Sequence, residues 1–380
     1  MTHIALLTTS YPDGTPGSEA AGGFVEDFAK ALSSKARVTV VAPARRDAVN
    51  TNTELTVRQF SVPRLPLSLL SPMCASDWWP IITTLRRGQQ AIEQLTLQDR
   101  PDHIFALWAL PSGHWANLML RRHGVPYSIW ALGSDIWTLG KVPLVRSRLR
   151  RVLNSAYRCY ADGYVLGEEV QAISGRKCKF LPSTRNIAFE KIPEARENPP
   201  YRLAFLGRWH PNKGIDILLD ALDLLSENDW QNISEVRIFG GGPLEDLVME
   251  KISNLKHPGR EITVGGYLDK AGAAALIGWT DYLVLPSRIE SIPVIFSDAA
   301  KIGTPLIATP VGDLPRLFED YRFGFLAGDA SSAALADAIK SALAKRPADF
   351  NDGLQRARKD FSIPEIVDSF LSGSFGDRNT

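Results

Sequence analysis

The sequence predicts an α/β protein built from two doubly wound, Rossmann-like domains that face each other across a cleft. Three observations lead there. Short β-rich runs alternate with longer helical patterns over most of the chain, the rhythm of parallel strands joined by crossover helices. The rhythm breaks at IPEARENPP, residues 192–200, where Pro and charge replace apolar periodicity and a linker is expected. At 380 residues the chain also exceeds what one hydrophobic core ordinarily serves, so two separately folding domains are expected.

In order, HIALLTT is the first strand, AGGFVEDFAKALSS a helix and RVTVVAP the second strand; DHIFALWAL, the helix GHWANLMLRRHG and YSIWALG repeat the unit further on. These belong to an N-terminal domain, residues 1–191. Beyond the linker, residues 201–362 form the second domain. There YRLAFLG, EVRIFG, EITVGGY, DYLVLPS and PLIATP are strands, and GIDILLDALDLLSE, LEDLVMEKISNL, KAGAAALIG and IPVIFSDAAKIG the helices between them. In such sheets ligands gather at the carboxyl ends of the strands.

Charge excludes one class of partner. With 43 Lys and Arg against 42 Asp and Glu, nothing electrostatic points to nucleic acid. Cys74, Cys159 and Cys178 make neither a disulfide framework nor a zinc spacing, so a reducing compartment, the cytoplasm, is expected. MTHIALLTTSYP lacks the basic region and cleavage site of a signal peptide, and no apolar run is long enough to cross a bilayer.

In LGRWHPNKG, residues 206–214, a strand gives way to a short loop and a helix. Arg208 and Lys213 fall near that helix N-terminus, where the macrodipole disfavours cations by a few tenths of a kcal/mol each. Two readings fit: a bound diphosphate that compensates them, or two solvated surface cations. The glycine run Gly240 to Gly242 either lets backbone approach a ligand, with Gly241 at its centre, or makes a tight turn. No GxGxxG follows the first strand, which argues against a dinucleotide-dependent oxidoreductase. Gly22 and Gly23 are expected to open a helix and offer backbone N–H groups to a ligand; a flexible loop explains them equally well.

PSRIESIPVIFSDAAKIG begins at Pro286 and keeps two carboxylates in an apolar setting. Ser291 is expected to cap a helix with Pro293 in its first turn. Glu290 then stands at the mouth of the cleft, and Asp298 roughly 10 Å further along the axis. That spacing suits an extended ligand with a sugar at each end, since a carboxylate accepts from vicinal hydroxyls while the amides of Ser291, Ile292 and Val294 meet a diphosphate between them. The alternative gives Glu290 a helix-dipole role and pairs Asp298 with Lys301 or Arg316.

Arg208, Lys213, Glu290 and Asp298 in this order, with WALPSG, ALGSDIW, GGGPL, VLPSRIES and GTPLIATPVGDLP around them, resemble the retaining GT-B glycosyltransferases of group 4 (GT4). The resemblance covers most of the chain. It implies that Arg208 and Lys213 neutralise the donor diphosphate, that Glu290 contacts the transferred sugar, and that Asp298 contacts the nucleotide ribose where the family carries a second Glu. It implies glycosyl transfer from a nucleotide sugar with retention, in polysaccharide biosynthesis or a related pathway. Catalysis then rests on Glu290, Arg208 and Lys213. No metal cofactor is expected, because cations already face the leaving phosphate and no Asp-x-Asp loop is present. By analogy, the helix in residues 363–380 returns to the N-terminal domain.

One departure stands out: where many members place a His, this chain has Leu132. His114 and Asp135 are the nearby candidates for a sugar or acceptor contact, each with a packing or capping role as the alternative. Remaining rivals are a sugar-nucleotide-binding protein without transfer and a sugar-nucleotide epimerase. The acceptor is expected to be a glycan or a lipid-linked one. KVPLVRSRLRRVLNSAYR, with Arg146, Arg148, Arg150, Arg151 and Arg158, and PRLPLSLLSPMCASDWWP, with Trp78 and Trp79, make the inner membrane face a candidate partner surface, peripherally bound.

Overall fold

The computed structural model describes residues 1–12, 18–51, 55–65, 67, 70–71, 74–137, 140, 142–187 and 196–375. Part of the expected linker (192–195) and part of the Trp78/Trp79 segment lie outside the described residues. Two compact units are present, residues 1–185 with 363–380 and residues 186–362.

The first unit contains strands β1 (His3–Leu7), β2 (Arg37–Ala44), β3 (Ala48–Thr51), β4 (Leu55–Ser61), β5 (His103–Leu107), β6 (Tyr127–Ala131), β7 (Arg158–Ala161) and β8 (Cys178–Phe180). They form a sheet of order β3-β4-β2-β1-β5-β6-β7-β8, parallel except where β3 meets β4. Helices α1 (Ser18–Ser33), α2 (Ala75–Gln98), α3 (Ser112–His123), α4 (Ser134–Trp137), α5 (Pro143–Ser155) and α6 (Tyr164–Ser174) follow their strands. Every residue of β1, β5 and β6 is buried, because helices cover both faces and the strands need apolar side chains on each. Ala5 and Leu7 point into one core with Trp115 of α3; Ile4 and Leu6 point into the other with Phe28 of α1.

In the second unit, β9 (Tyr201–Arg208), β10 (Ile233–Gly241), β11 (Ile262–Gly265), β12 (Tyr282–Leu285), β13 (Leu306–Ala308) and β14 (Gly324–Leu326) alternate with helices α7 (Ile215–Asp223), α8 (Glu227–Trp230), α9 (Glu245–Leu255), α10 (Lys270–Trp279), α11 (Val294–Ile302), α12 (Leu314–Tyr321), α13 (Ser332–Leu343) and α14 (Asn351–Asp360). The sheet order is β11-β10-β9-β12-β13-β14, all parallel. The chain therefore winds outward twice from the centre, and the reversal lies between β9 and β12. That is the topological switch point, where the loops after two adjacent strands diverge and leave a crevice.

The last described helix, α15 (Ile363–Phe375), belongs to the first unit. Its Ile363, Ile366, Val367 and Phe370 enter the core beside α1. Phe370 stacks on Phe105 at 4.1 Å between ring centres, and Tyr160 Oη donates to its carbonyl at 3.3 Å.

Candidate functional site

Both sequence motifs with charge in them flank the switch point of the second unit. After β9, the chain runs through Arg208, Trp209 and His210 into a single 3-10 turn, Pro211–Lys213. Gly214 then reverses direction in a left-handed conformation at φ 64° and α7 begins. A side chain cannot be accommodated there: a Cβ on Gly214 would lie 1.8 Å from the carbonyl oxygen of Pro286, far inside contact distance, and the φ itself is unfavourable for L-residues. The loop after β12 is thus pressed against the turn after β9.

This close approach brings Lys213 and Glu290 together. Lys213 Nζ donates to Glu290 Oε1 at 2.5 Å, and Ser287 Oγ donates to the same oxygen at 2.8 Å. The Glu290 side chain is 10% exposed and that of Lys213 37%, so the pair is solvated at one end and covered at the other. Arg208 is exposed, and its side chain pairs with no described residue. A half-covered lysine, an acid and an unengaged guanidinium at a switch point can accept a phosphate group and a polyhydroxyl ring together.

The remaining donor-site expectations fare differently. The helix carrying Asp298 starts at Val294, capped by Pro293 in an extended conformation at ψ 134° with no side-chain cap. Ser291 is therefore not its N-cap: a proline pushes the residue before it away from helical geometry, so Ile292 cannot be a first-turn residue. Ser291 and Ile292 are buried and Val294 half-buried, and the first-turn amides of α11, which lack intrahelical partners, begin at Val294. Asp298 is fully buried in α11, whereas Glu290 reaches solvent. Gly241 ends β10, and its carbonyl accepts from Trp209 N at 2.8 Å and from Tyr267 Oη at 2.7 Å, which zips three loops of the sheet edge together. Gly22 and Gly23 do not open a helix. They lie one turn inside α1, where their amides serve intrahelical bonds, and Gly22 makes room for the backbone of Tyr11 and Pro12.

In the first unit, the two secondary candidates are held by their own surroundings. Asp135 is 1% exposed and accepts from the amides of Ala109 at 2.5 Å and Leu132 at 3.4 Å, joining the loop after β5 to the loop after β6. Burial pushes its carboxyl up to about 6, against the opposing pull of those amides. His114, in the first turn of α3, receives Arg148 Nη2 at 3.0 Å on Nδ1. Burial, and then the Arg148 charge, lower its pKa to about 4, so the imidazole is neutral at physiological pH. Leu132 packs its side chain against the core beside α1.

Sequence reasoning did not find Arg288 and Asp216. Arg288 donates to Asp216 through Nη1 at 2.8 Å and Nη2 at 2.6 Å, a two-pronged pair, and Nη1 also reaches the Pro211 carbonyl at 2.8 Å. This pair holds the Asp216 carboxyl below its ordinary value and the guanidinium above its own. The signal was faint: a single arginine between Pro286 and Glu290, 72 positions from its partner.

Comparison with known proteins bears out the resemblance read from the motifs. Residues 200–345 match the family described as glycosyl transferases group 1. A Bacillus subtilis glycosyltransferase named for teichuronic acid biosynthesis is 27% identical over 254 residues, 63% of this chain and 60% of the relative. Phosphatidyl-myo-inositol mannosyltransferase of Mycobacterium leprae is 34% identical over 143 residues, 37% of this chain and 36% of that protein. The chain thus spans less than two thirds of the length of either relative. A structure of Anabaena HepE in complex with UDP and glucose covers 98% of this chain and 99% of its own, with a TM-score of 0.69 at 17% identity. At that identity the likeness is one of fold, the GT-B fold of two parallel-sheet α/β domains.

Proposed function

We propose that the protein is a glycosyltransferase that takes a sugar from a nucleoside-diphosphate sugar and transfers it, with retention, to a glycan or lipid-linked acceptor. The observation that carries this reading is the Lys213–Glu290 pair at the switch point of the second unit, with Arg208, whose side chain pairs with no described residue, at the end of β9. In the donor complex Lys213 and Arg208 face the diphosphate, and Glu290 exchanges its lysine for hydroxyls of the transferred sugar. As the glycosidic bond breaks, negative charge grows on the leaving phosphate, and fixed cations and amides there stabilise the transition state more than the ground state. Asp298 takes the ribose. Asp298 is buried, so that contact needs α11 or its surroundings to give way. Because side chains supply the positive charge, transfer uses no metal.

A second reading, sugar-nucleotide binding without transfer, is favoured by one observation: the apolar, partly buried Leu132, packed against the core, stands where many members of the resembled family have a histidine. Calorimetric titration with UDP, GDP and ADP, repeated in EDTA, tests the donor reading. One of the three binds with or without EDTA, and both Arg208→Ala and Asp298→Ala weaken it; absence of binding to any of them sinks the proposal. Consumption of the matching sugar nucleotide then separates transfer from simple binding.

The acceptor side draws support from surface chemistry. Helix α5 carries four arginines and no acid, with Arg146, Arg150 and Arg151 exposed. On α2, Trp78 and Trp79 are 57% and 67% exposed. Cationic helices and exposed indoles suit an anionic lipid surface. Flotation with anionic liposomes at low salt recovers the protein if the acceptor is met at a membrane; protein left at the bottom of the gradient restricts it to soluble glycans.

A further inference from the structure

The Lys213–Glu290 pair has to come apart when a donor binds, since Lys213 turns to phosphate and Glu290 to hydroxyls. Something else must then hold the two segments at the right separation. Between residues 210–216 and 286–290 the structure contains a second set of bonds that no ligand needs to break. Arg288 forks onto both oxygens of Asp216 and onto the Pro211 carbonyl. The Arg288 amide donates to Asn212 O at 2.8 Å, and Gly214 abuts Pro286. Asp216 lies in the first turn of α7, where a carboxylate is also favoured by the helix dipole.

We infer that Arg288 and Asp216 are positioning residues: their two-pronged pair sets the distance between Lys213 and Glu290 and keeps it when those two release each other for the donor. The inference rests on the donor-site reading and adds to it a part that touches neither phosphate nor sugar. A planar guanidinium meeting a carboxylate through two parallel bonds fixes orientation as well as distance, which a lysine at position 288 cannot do. The side chains are 39% and 25% exposed, so solvent screens the pair and its contribution to global stability is small. Its effect therefore falls on geometry.

The test titrates UDP, GDP and ADP, and the nucleoside matching whichever binds, into the wild type, Arg288→Ala, Asp216→Ala, the double variant and Arg288→Lys. Lys213→Ala serves as the reference for the donor site, and thermal midpoints are recorded throughout. Either single substitution weakens the diphosphate about three- to tenfold, and the double variant is no weaker than the singles, as expected for two residues acting as one unit. Arg288→Lys falls between. The bare nucleoside, which has no phosphate to place, binds all of these as it binds the wild type, and thermal midpoints move little. Additive losses, equal losses for nucleoside and diphosphate, or unchanged diphosphate affinity while Lys213→Ala is weakened would overturn the clamp and leave the donor reading standing. Lys213→Ala binding like the wild type, or no binding of any diphosphate to the wild type, overturns the donor reading and the clamp with it.

Discussion

The carboxyl edges of the two sheets are built from the same repeating unit and use their acids in opposite ways. At the edge of the second unit, Glu290 is paired side chain to side chain with Lys213, whose end of the pair is within reach of water. At the edge of the first, Asp135 is sealed from solvent and spends its oxygens on backbone amides, and His114 is held neutral by burial and Arg148. An ion pair open to solvent can be traded for a ligand of like charge pattern at little cost, because water already shares its charges. A buried carboxylate bonded to amides cannot be traded, because removing it strands donors that have no other partner. The difference separates an edge that exchanges partners from an edge that fixes the shape of its loops.

The comparison can be broken from either side. The largest expected effect is on the exchangeable side: Glu290→Ala reduces consumption of the donor by at least about 100-fold, measured as nucleoside diphosphate release. A variant with wild-type turnover would place Glu290 among ordinary surface acids. The next effect is on the fixed side. Asp135→Ala leaves the Ala109 and Leu132 amides unpaired and lowers stability by about 1–3 kcal/mol in urea unfolding; a loss no larger than that of Glu290→Ala would erase the distinction.

The smallest effect concerns pH and uses Asp135→Asn. The folded carboxyl titrates near 6, above the unfolded value of about 3.9, so in this range the folded state holds more protons than the unfolded one. Wild-type stability from this group is therefore fully present below pH about 4, declines as pH rises to about 6, and is flat above. Urea midpoints across that range show the decline in the wild type and a shallower profile in Asp135→Asn. Parallel profiles would mean that Asp135 stays ionised in the fold.

Much of the second edge was legible because its signals are local. The alternation of β9 to β13 with their helices follows from apolar runs bounded by Gly and Pro, and Lys213 and Glu290 each sit in a loop that such a pattern places at the sheet edge. What could not be read depends on contacts across tens of residues. That Arg288 finds Asp216, and that Lys213 finds Glu290, is decided by sheet order, which periodicity does not reveal. Ser291 was misread for a local reason: a serine before an apolar helix looks like a cap, but Pro293 intervenes and moves the helix start to Val294. Gly22 and Gly23 looked like ligand-facing backbone, and Gly22 instead serves a close approach by Tyr11 and Pro12. At the first edge, the burial of Asp135 was invisible because ALGSDIW reads equally well as a turn with a capping acid.

The return of α15 to the first unit has a consequence for how the chain is made. Phe370 stacks on Phe105 and meets Phe28, so the aromatic centre of that unit is incomplete until its last contributor leaves the ribosome. Domains generally fold as they emerge, N-terminal first, at about 5–20 residues per second. Here residues 186–362, the whole second unit, are translated while Phe105, Phe28 and Tyr160 lack their contact with Phe370. The core of the first unit is therefore completed only after the second unit has been translated.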